Sequence, residues 1–333
     1  MRSDLFLLSL AGTAFAAPLE KRASRLTAPD GCLEVGGSGK YTTVQAAVNA
    51  LSTSSTSSQC IFINSGTYKE QVYIKTLASE LILYGATADT TGYSGNKVTI
   101  TQSKSQADGL TNDETATLRA ATPNLKVYNI NIVNAYGKGS QALAVSAQND
   151  KQGYYGVSFK GYQDTILANS GSQVYAKCYI EGATDFIFGQ KATAWFDGVD
   201  IGVLSASLGY ITANGRDSDS NPSYYVINNS KVAAASGNTV SSGVYYLGRP
   251  WRNYSRVVFQ KTALSNVINS AGWKAWSTDS PNTDHVTYAE YQNTGDGSKG
   301  TRASFAKTNS AAVAITTVLG SSYKDWVDTT YLS

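Results

Sequence analysis

The chain has 333 residues, 42% of them apolar, with 27 basic against 24 acidic side chains and a formal net charge of +3. That near-balance leaves no electrostatic footprint for nucleic acid, and three cysteines with one histidine are too few for a typical zinc site. It does not exclude an acidic polysaccharide, because a nearly neutral surface can still hold a polyanion locally.

The first element is a leader. "MRSDLFLLSLAGTAFA" combines an early arginine, a short apolar run and small residues in an A-x-A-like ending, so residues 1–17 read as a secretory signal peptide. Residues 18–22 then read as a short pro-segment ending in the dibasic Lys21-Arg22, and 23–333 as one domain. Removing Arg2, Lys21 and Arg22 against Asp4 and Glu20 leaves the mature chain at +2. No later apolar run is long enough for a membrane span, so the expectation is a secreted, extracellular protein with no membrane partner. In an oxidising compartment three cysteines allow one disulfide and one leftover thiol. The alternation of "VYAKCYI" points Cys178 inward, which leaves Cys32 with Cys60 as the expected bridge. Sequons at Asn228 and Asn253 are glycan acceptor candidates.

Next comes "YTTVQAAVNALS", where Val44, Ala47, Val48 and Leu51 recur at helical spacing behind Thr42 or Thr43 as a cap. The buried-strand run "CIFINSGTY" follows it, so one short helix caps the end of a β structure. From about 80 to 205, short β-rich runs alternate with Gly, Asn and Asp turns. "YGVSFKGYQD" from Tyr155, "YAKCYIEGATD" from Tyr175 and "FDGVDIGV" from Phe196 place aromatic anchors 20 and then 21 residues apart. A period of that size in strands points to a parallel β-helix solenoid, with long loops leaving the coil where the spacing stretches, as between Tyr128 and Tyr155. A sandwich of antiparallel hairpins is the alternative. It is disfavoured because two-residue hairpin signals are scarce, Asn214-Gly215 being the obvious exception.

Stacked coils have a chemical consequence. Asp164 of "GYQDT" and Asp185 of "DFIFG" lie 21 residues apart at nearly equivalent positions, so they would face each other across a rung spacing of about 4.8 Å. Two such carboxylates do not both ionise comfortably and can divide the roles of acid and nucleophile. The plain alternative is an aspartate ladder that binds solvent or Ca²⁺. Arg249 in "LGRPWRNY" decides between them if it comes near, because an arginine fork can hold one carboxylate ionised and leave the other alone. Otherwise "RPW" is a surface turn.

At this point "GTYKE" (66–70), "GSQALA" (139–144), "GYQDT" (161–165), "DFIFG" (185–189) and "LGRPW" (247–251), in this order, resemble the motifs of the pectin methylesterases, as does the opening "GSGKYTTVQAAV". The resemblance runs from about Cys32 to "GWKAW" at 272–276 and looks fungal. It implies a right-handed parallel β-helix with a substrate groove, acting without cofactor or metal on methyl-esterified pectin, a homogalacturonan, as a monomer. By the resemblance Asp185 is the nucleophile on the methyl ester carbonyl and Asp164 the general acid and then base. Gln163 and Gln141 are oxyanion donors, Arg249 orients Asp185, and Trp251 walls the groove. Gln141, Arg249, Trp276 and Phe186 join Trp251 as substrate-binding candidates; Trp273 and Trp276 are each as open to a core place as to a sugar platform. "GYQDT" continues as Ile166 where the family pattern has leucine, and the Asn253 sequon adjoins Arg249 and Trp251.

Two other classes stay open: a glycoside hydrolase or lyase on the same polymer, which two close carboxylates would suit, and a non-catalytic polysaccharide-binding solenoid. The first leaves Gln141, Gln163 and Arg249 without a task, and the second has no use for the Asp-Gln-Arg set. One independent point favours a carboxylate esterase: His285 is the sole histidine and there is no G-x-S-x-G elbow to go with it.

Overall fold

A computed structural model describes residues 24–333. The expected leader 1–17, the segment 18–22 and the mature start at Ala23 lie outside the described residues.

The chain winds as a right-handed parallel β-helix with three sheets of eleven, seven and eight strands along its length. Every named strand pair in them is parallel, which removes the hairpin sandwich. Asn214-Gly215 ends a strand rather than turning a hairpin: the Asn214 amide donates to Ser223 Oγ at 2.8 Å, and its carbonyl oxygen accepts from the Arg256 amide at 2.9 Å.

The register of the eleven-stranded sheet gives the coil lengths. Leu81, Leu125, Gln152, Gln173, Ala194 and Tyr225 stand over one another, so successive coils take 44, 27, 21, 21 and 31 residues. The two shortest coils carry Asp164 and Asp185, and the longer neighbours supply the loops around them. The inward aromatic column is Tyr154, Tyr175 and Phe196, with ring centroids 4.9 and 4.6 Å apart and planes within 10° of parallel. The anchor is therefore Tyr154, one residue before Tyr155, and the period is a strict 21. Strand side chains alternate faces, so that single position sends Tyr155 to the outer side of the sheet. There it stacks on Tyr128 at 4.9 Å under Tyr331 of the C-terminal segment. The Tyr154 and Tyr175 hydroxyls donate to Gln152 and Gln173 at 3.0 and 2.8 Å, which satisfies polar groups that have no access to water.

The predicted helix spans Val44–Asn49 with Thr43 as its cap, accepting from the Ala46 amide at 3.1 Å. Glu70, the last residue of "GTYKE", accepts from the Val44 and Gln45 amides at 2.8 Å each. Those first-turn donors have no partner within the helix, and a carboxylate suits that end of the helix dipole. The motif's glutamate is thus a fold residue. Two further short helices were not anticipated from sequence: Asn112–Thr115, capped by Thr111, and Ile315–Leu319, which covers the outer face of the eleven-stranded sheet. Cys32 and Cys60 form the expected disulfide, with Cα atoms 4.7 Å apart, and Cys178 is a buried thiol whose pKa burial pushes up to about 12. No helix among the described residues is long and apolar enough to cross a membrane.

Candidate active site

The two aspartates sit at equivalent corners between the eight- and seven-stranded sheets. Both have left-handed backbone, φ 64° at Asp164 and φ 50° at Asp185, a conformation that Asp and Asn tolerate better than most residues. Gln163 pairs with Thr184 across the rungs, and Ile166 with Ile187, so the two corners are in register. On its other side the Asp185 strand, Thr184–Gly189, pairs Thr184 with Tyr210 and Ile187 with Thr212. Asp185 and Phe186 together therefore oppose the single residue Ile211, which is a β-bulge. A bulge re-aims side chains, and this one turns the Asp185 carboxyl outward while Phe186 goes inward.

Phe186 is consequently fully buried in the main core and does not line the cavity beside the aspartates, contrary to its expected place in substrate binding. Unbroken alternation would put Phe186 and Phe188 on one face. The bulge separates them, and Phe188 is the ring that reaches the cavity.

Arg249 meets Asp185 as a fork, with Nε to Oδ1 at 2.9 Å and Nη2 to Oδ2 at 2.6 Å. It follows the strand Tyr245–Gly248, two rungs from Asp185, and its amide donates to the Thr212 carbonyl at 3.0 Å. Asp164 makes no side-chain hydrogen bond with a described residue, and it is only 7% exposed. Burial pushes the Asp164 carboxyl well above the usual range, and the Asp185 charge adds to that push. Burial also raises Asp185, but its hydrogen bonds and charge contact with Arg249 oppose the rise. The proton of the pair therefore belongs on Asp164 and the negative charge on Asp185.

The cavity in front of them is about 270 Å³ and brings together Gln141, Gln163, Asp164, Asp185, Arg249, Trp251 and Trp276 of the expected set. Neither glutamine side-chain amide makes a hydrogen bond with a described residue. Their backbones are linked, Ala142 N–H to Gln163 carbonyl at 3.1 Å, which puts the two amides on neighbouring rungs. Asn112, Phe188 and Ala213 complete the lining. Sequence reading missed all three: Asn112 arrives from the long 44-residue coil, whose path no periodicity predicts, and the other two depend on the register around the bulge.

The pectinesterase family profile matches residues 32–318, and a pectinesterase of Aspergillus niger is 55% identical over the whole of both chains. The chain belongs to the pectinesterase family. A second pectinesterase, from Aspergillus aculeatus, is 54% identical over 97% of this chain and 99% of its own. Among solved structures, the pectin methylesterase of Aspergillus niger superposes with a TM-score of 0.87 at 44% identity, covering 92% of this chain and all of that one. The carrot pectin methylesterase gives 0.80 at 28% identity over 92% and 98%.

The remaining expected positions of this pectinesterase separate cleanly. Trp273 is a core residue, stacked on Tyr288 at 4.2 Å, whereas Trp276 faces the cavity. Trp251 is seated over Gly215, where a Cβ would come within 2.6 Å of the indole. The Asn228 sequon is corrected as a glycan candidate. Its side chain is 7% exposed and held on both amide atoms, donating to Asp197 at 3.2 Å and accepting from Gln260 at 2.9 Å. A glycan nitrogen needs solvent, and this one is inside a polar ladder. Asn253 is half-buried, with its carbonyl oxygen accepting from the Asp284 amide at 3.0 Å.

Proposed function

We propose that this pectinesterase removes methyl groups from galacturonate units of pectin through Asp185 and Asp164 in divided roles. The Asp185 carboxylate attacks the ester carbonyl carbon, and the Gln141 and Gln163 amides donate hydrogen bonds to the oxyanion that forms. Collapse breaks the bond to the methoxy oxygen, which takes the Asp164 proton and leaves as methanol, with the acyl group on Asp185. Asp164, now ionised, takes a proton from water, and the hydroxide adds to the same carbonyl. The second collapse returns Asp185 as a carboxylate and releases the free galacturonate.

The observation that carries this reading is the asymmetry of the pair: one carboxylate is forked by an arginine, the other is buried with no side-chain hydrogen bond to a described residue, and two amides equally uncommitted among the described residues share the cavity. Nothing in the cavity favours chain scission, which would leave the fork and the amides without a task. The leader sequence supports secretion, with Asn253 as the remaining glycan candidate.

Methanol and new reducing ends are to be measured in parallel on highly methylated pectin. Methanol without scission is the expected result; scission without methanol would move the aspartate pair to glycosidic chemistry.

A further inference from the structure

We propose that Tyr210 and Trp276 form an aromatic clamp that holds the Arg249 guanidinium on Asp185, acting as positioning residues; the clamp's catalytic meaning rests on Asp185 being the nucleophile. The guanidinium carbon lies 4.1 Å from the Tyr210 ring centroid and 4.3 Å from that of Trp276.

The need for a clamp comes from where Arg249 starts. It leaves the chain two rungs from Asp185, about 10 Å of sheet at the usual strand spacing, so its side chain must lie back across the intervening strand Gly209–Asn214. A long side chain with that much rotamer freedom does not keep a two-point fork unaided. Tyr210 belongs to the strand being crossed. Its amide is tied to the Ala183 carbonyl at 3.0 Å, beside the bulge, and its ring stacks on Tyr246 of the next rung at 5.9 Å. The ring is 6% exposed and lies outside the cavity lining, so it is placed to touch Arg249 rather than a sugar. Trp276 comes from the following loop and presses from the cavity side, its amide donating to the Pro281 carbonyl at 3.1 Å. A guanidinium is weakly hydrated and planar, and aromatic faces hold it by cation–π attraction, while the Tyr210 hydroxyl also lies near the guanidinium. Its N–H edge stays free for the carboxylate. One side of the Trp276 ring is thereby occupied, which restricts any sugar contact to the other.

The test uses Tyr210→Leu in the otherwise intact enzyme, with Tyr210→Phe as the conservative control. The charged or titratable groups acting on Asp185 are Arg249, Asp164, Tyr210 and Tyr288, and burial raises both phenols, so neither changes charge on the acid side of the profile. A loosened fork stabilises the Asp185 carboxylate less. The acid limb of kcat/KM is therefore expected to move to higher pH, with kcat down about tenfold or more, the range a small misplacement costs, and KM nearly unchanged. Tyr210→Phe keeps the ring and should restore both. The Asp185 carboxyl carbon, titrated by NMR, should move upward in parallel in Tyr210→Leu. An unmoved NMR titration and acid limb in a folded Tyr210→Leu would overturn the clamp, as would a raised KM with the limb in place, which would make Tyr210 a substrate contact. If Tyr210→Leu does not fold, Trp276→Leu against Trp276→Phe reads the same NMR shift. Activity retained in Asp185→Asn would instead remove the nucleophile assignment, while the NMR titration would still report on the clamp.

Discussion

Asp164 and Asp185 are the same residue type at equivalent corners, and their difference lies in one partner. Arg249 gives Asp185 two charged hydrogen bonds, and on the proposed role of Asp185 as nucleophile Asp185→Asn should keep the fold but lose turnover by about a thousandfold or more. Methanol release and thermal unfolding on the same preparation check it. Arg249→Lys retains charge but not the fork, and its kcat should fall about 10- to 100-fold. For Asp164 the sign runs through folding. Its folded pKa is raised above the ordinary 3.8, so the folded state binds the proton more tightly than the unfolded chain. The stability this brings is complete below pH 3.8 and is lost as pH rises through the folded value. Asp164→Asn removes that loss, so its Tm should exceed the wild type's at pH 7 and match it near pH 3, while activity falls. Equal Tm differences at both values would mean that the carboxyl is not desolvated.

At the scale of strands and coils, register determines the outcome more than composition does. Tyr154 and Tyr155 are adjacent and chemically identical, yet one is the inner column and the other the outer stack. Tyr154→Ala should cost about 3–5 kcal/mol, the range for emptying a buried aromatic site, as read in denaturant unfolding. The 21-residue period was legible because the two shortest coils carry no insertions; the strict register was not, since two tyrosines in sequence fit it equally well. The bulge at Asp185–Phe186 was hidden for a similar reason. It exists only as a mismatch with the next strand, where the pair opposes Ile211, and no local pattern announces it. The same mismatch moved Phe186 into the core and left Phe188 for the cavity.

Over the whole molecule, the disulfide and the site are separate concerns. Cys32–Cys60 closes a 28-residue separation at the first coils, so replacing both cysteines by serine should lower stability by roughly 3–4 kcal/mol on the chain-entropy account. Methanol release at 25 °C should stay close to wild type, because the aspartates lie several coils further along. A large loss of kcat in a folded variant would show that the first coil transmits order to the site. The parallel solenoid, the helix after Thr43, the disulfide and the aspartate pair could all be read from the linear chain, because each rests on spacing or on residue type at a turn. Family motifs added Gln141, Gln163 and Arg249 in the same way. The fork's direction, the burial of Asp164, the rings around Arg249 and the burial of Asn228 are contacts between coils 21 to 64 residues apart. They depend on how one coil lies over the next, and that alignment is decided by packing and hydrogen bonding across rungs, which no stretch of the chain contains by itself.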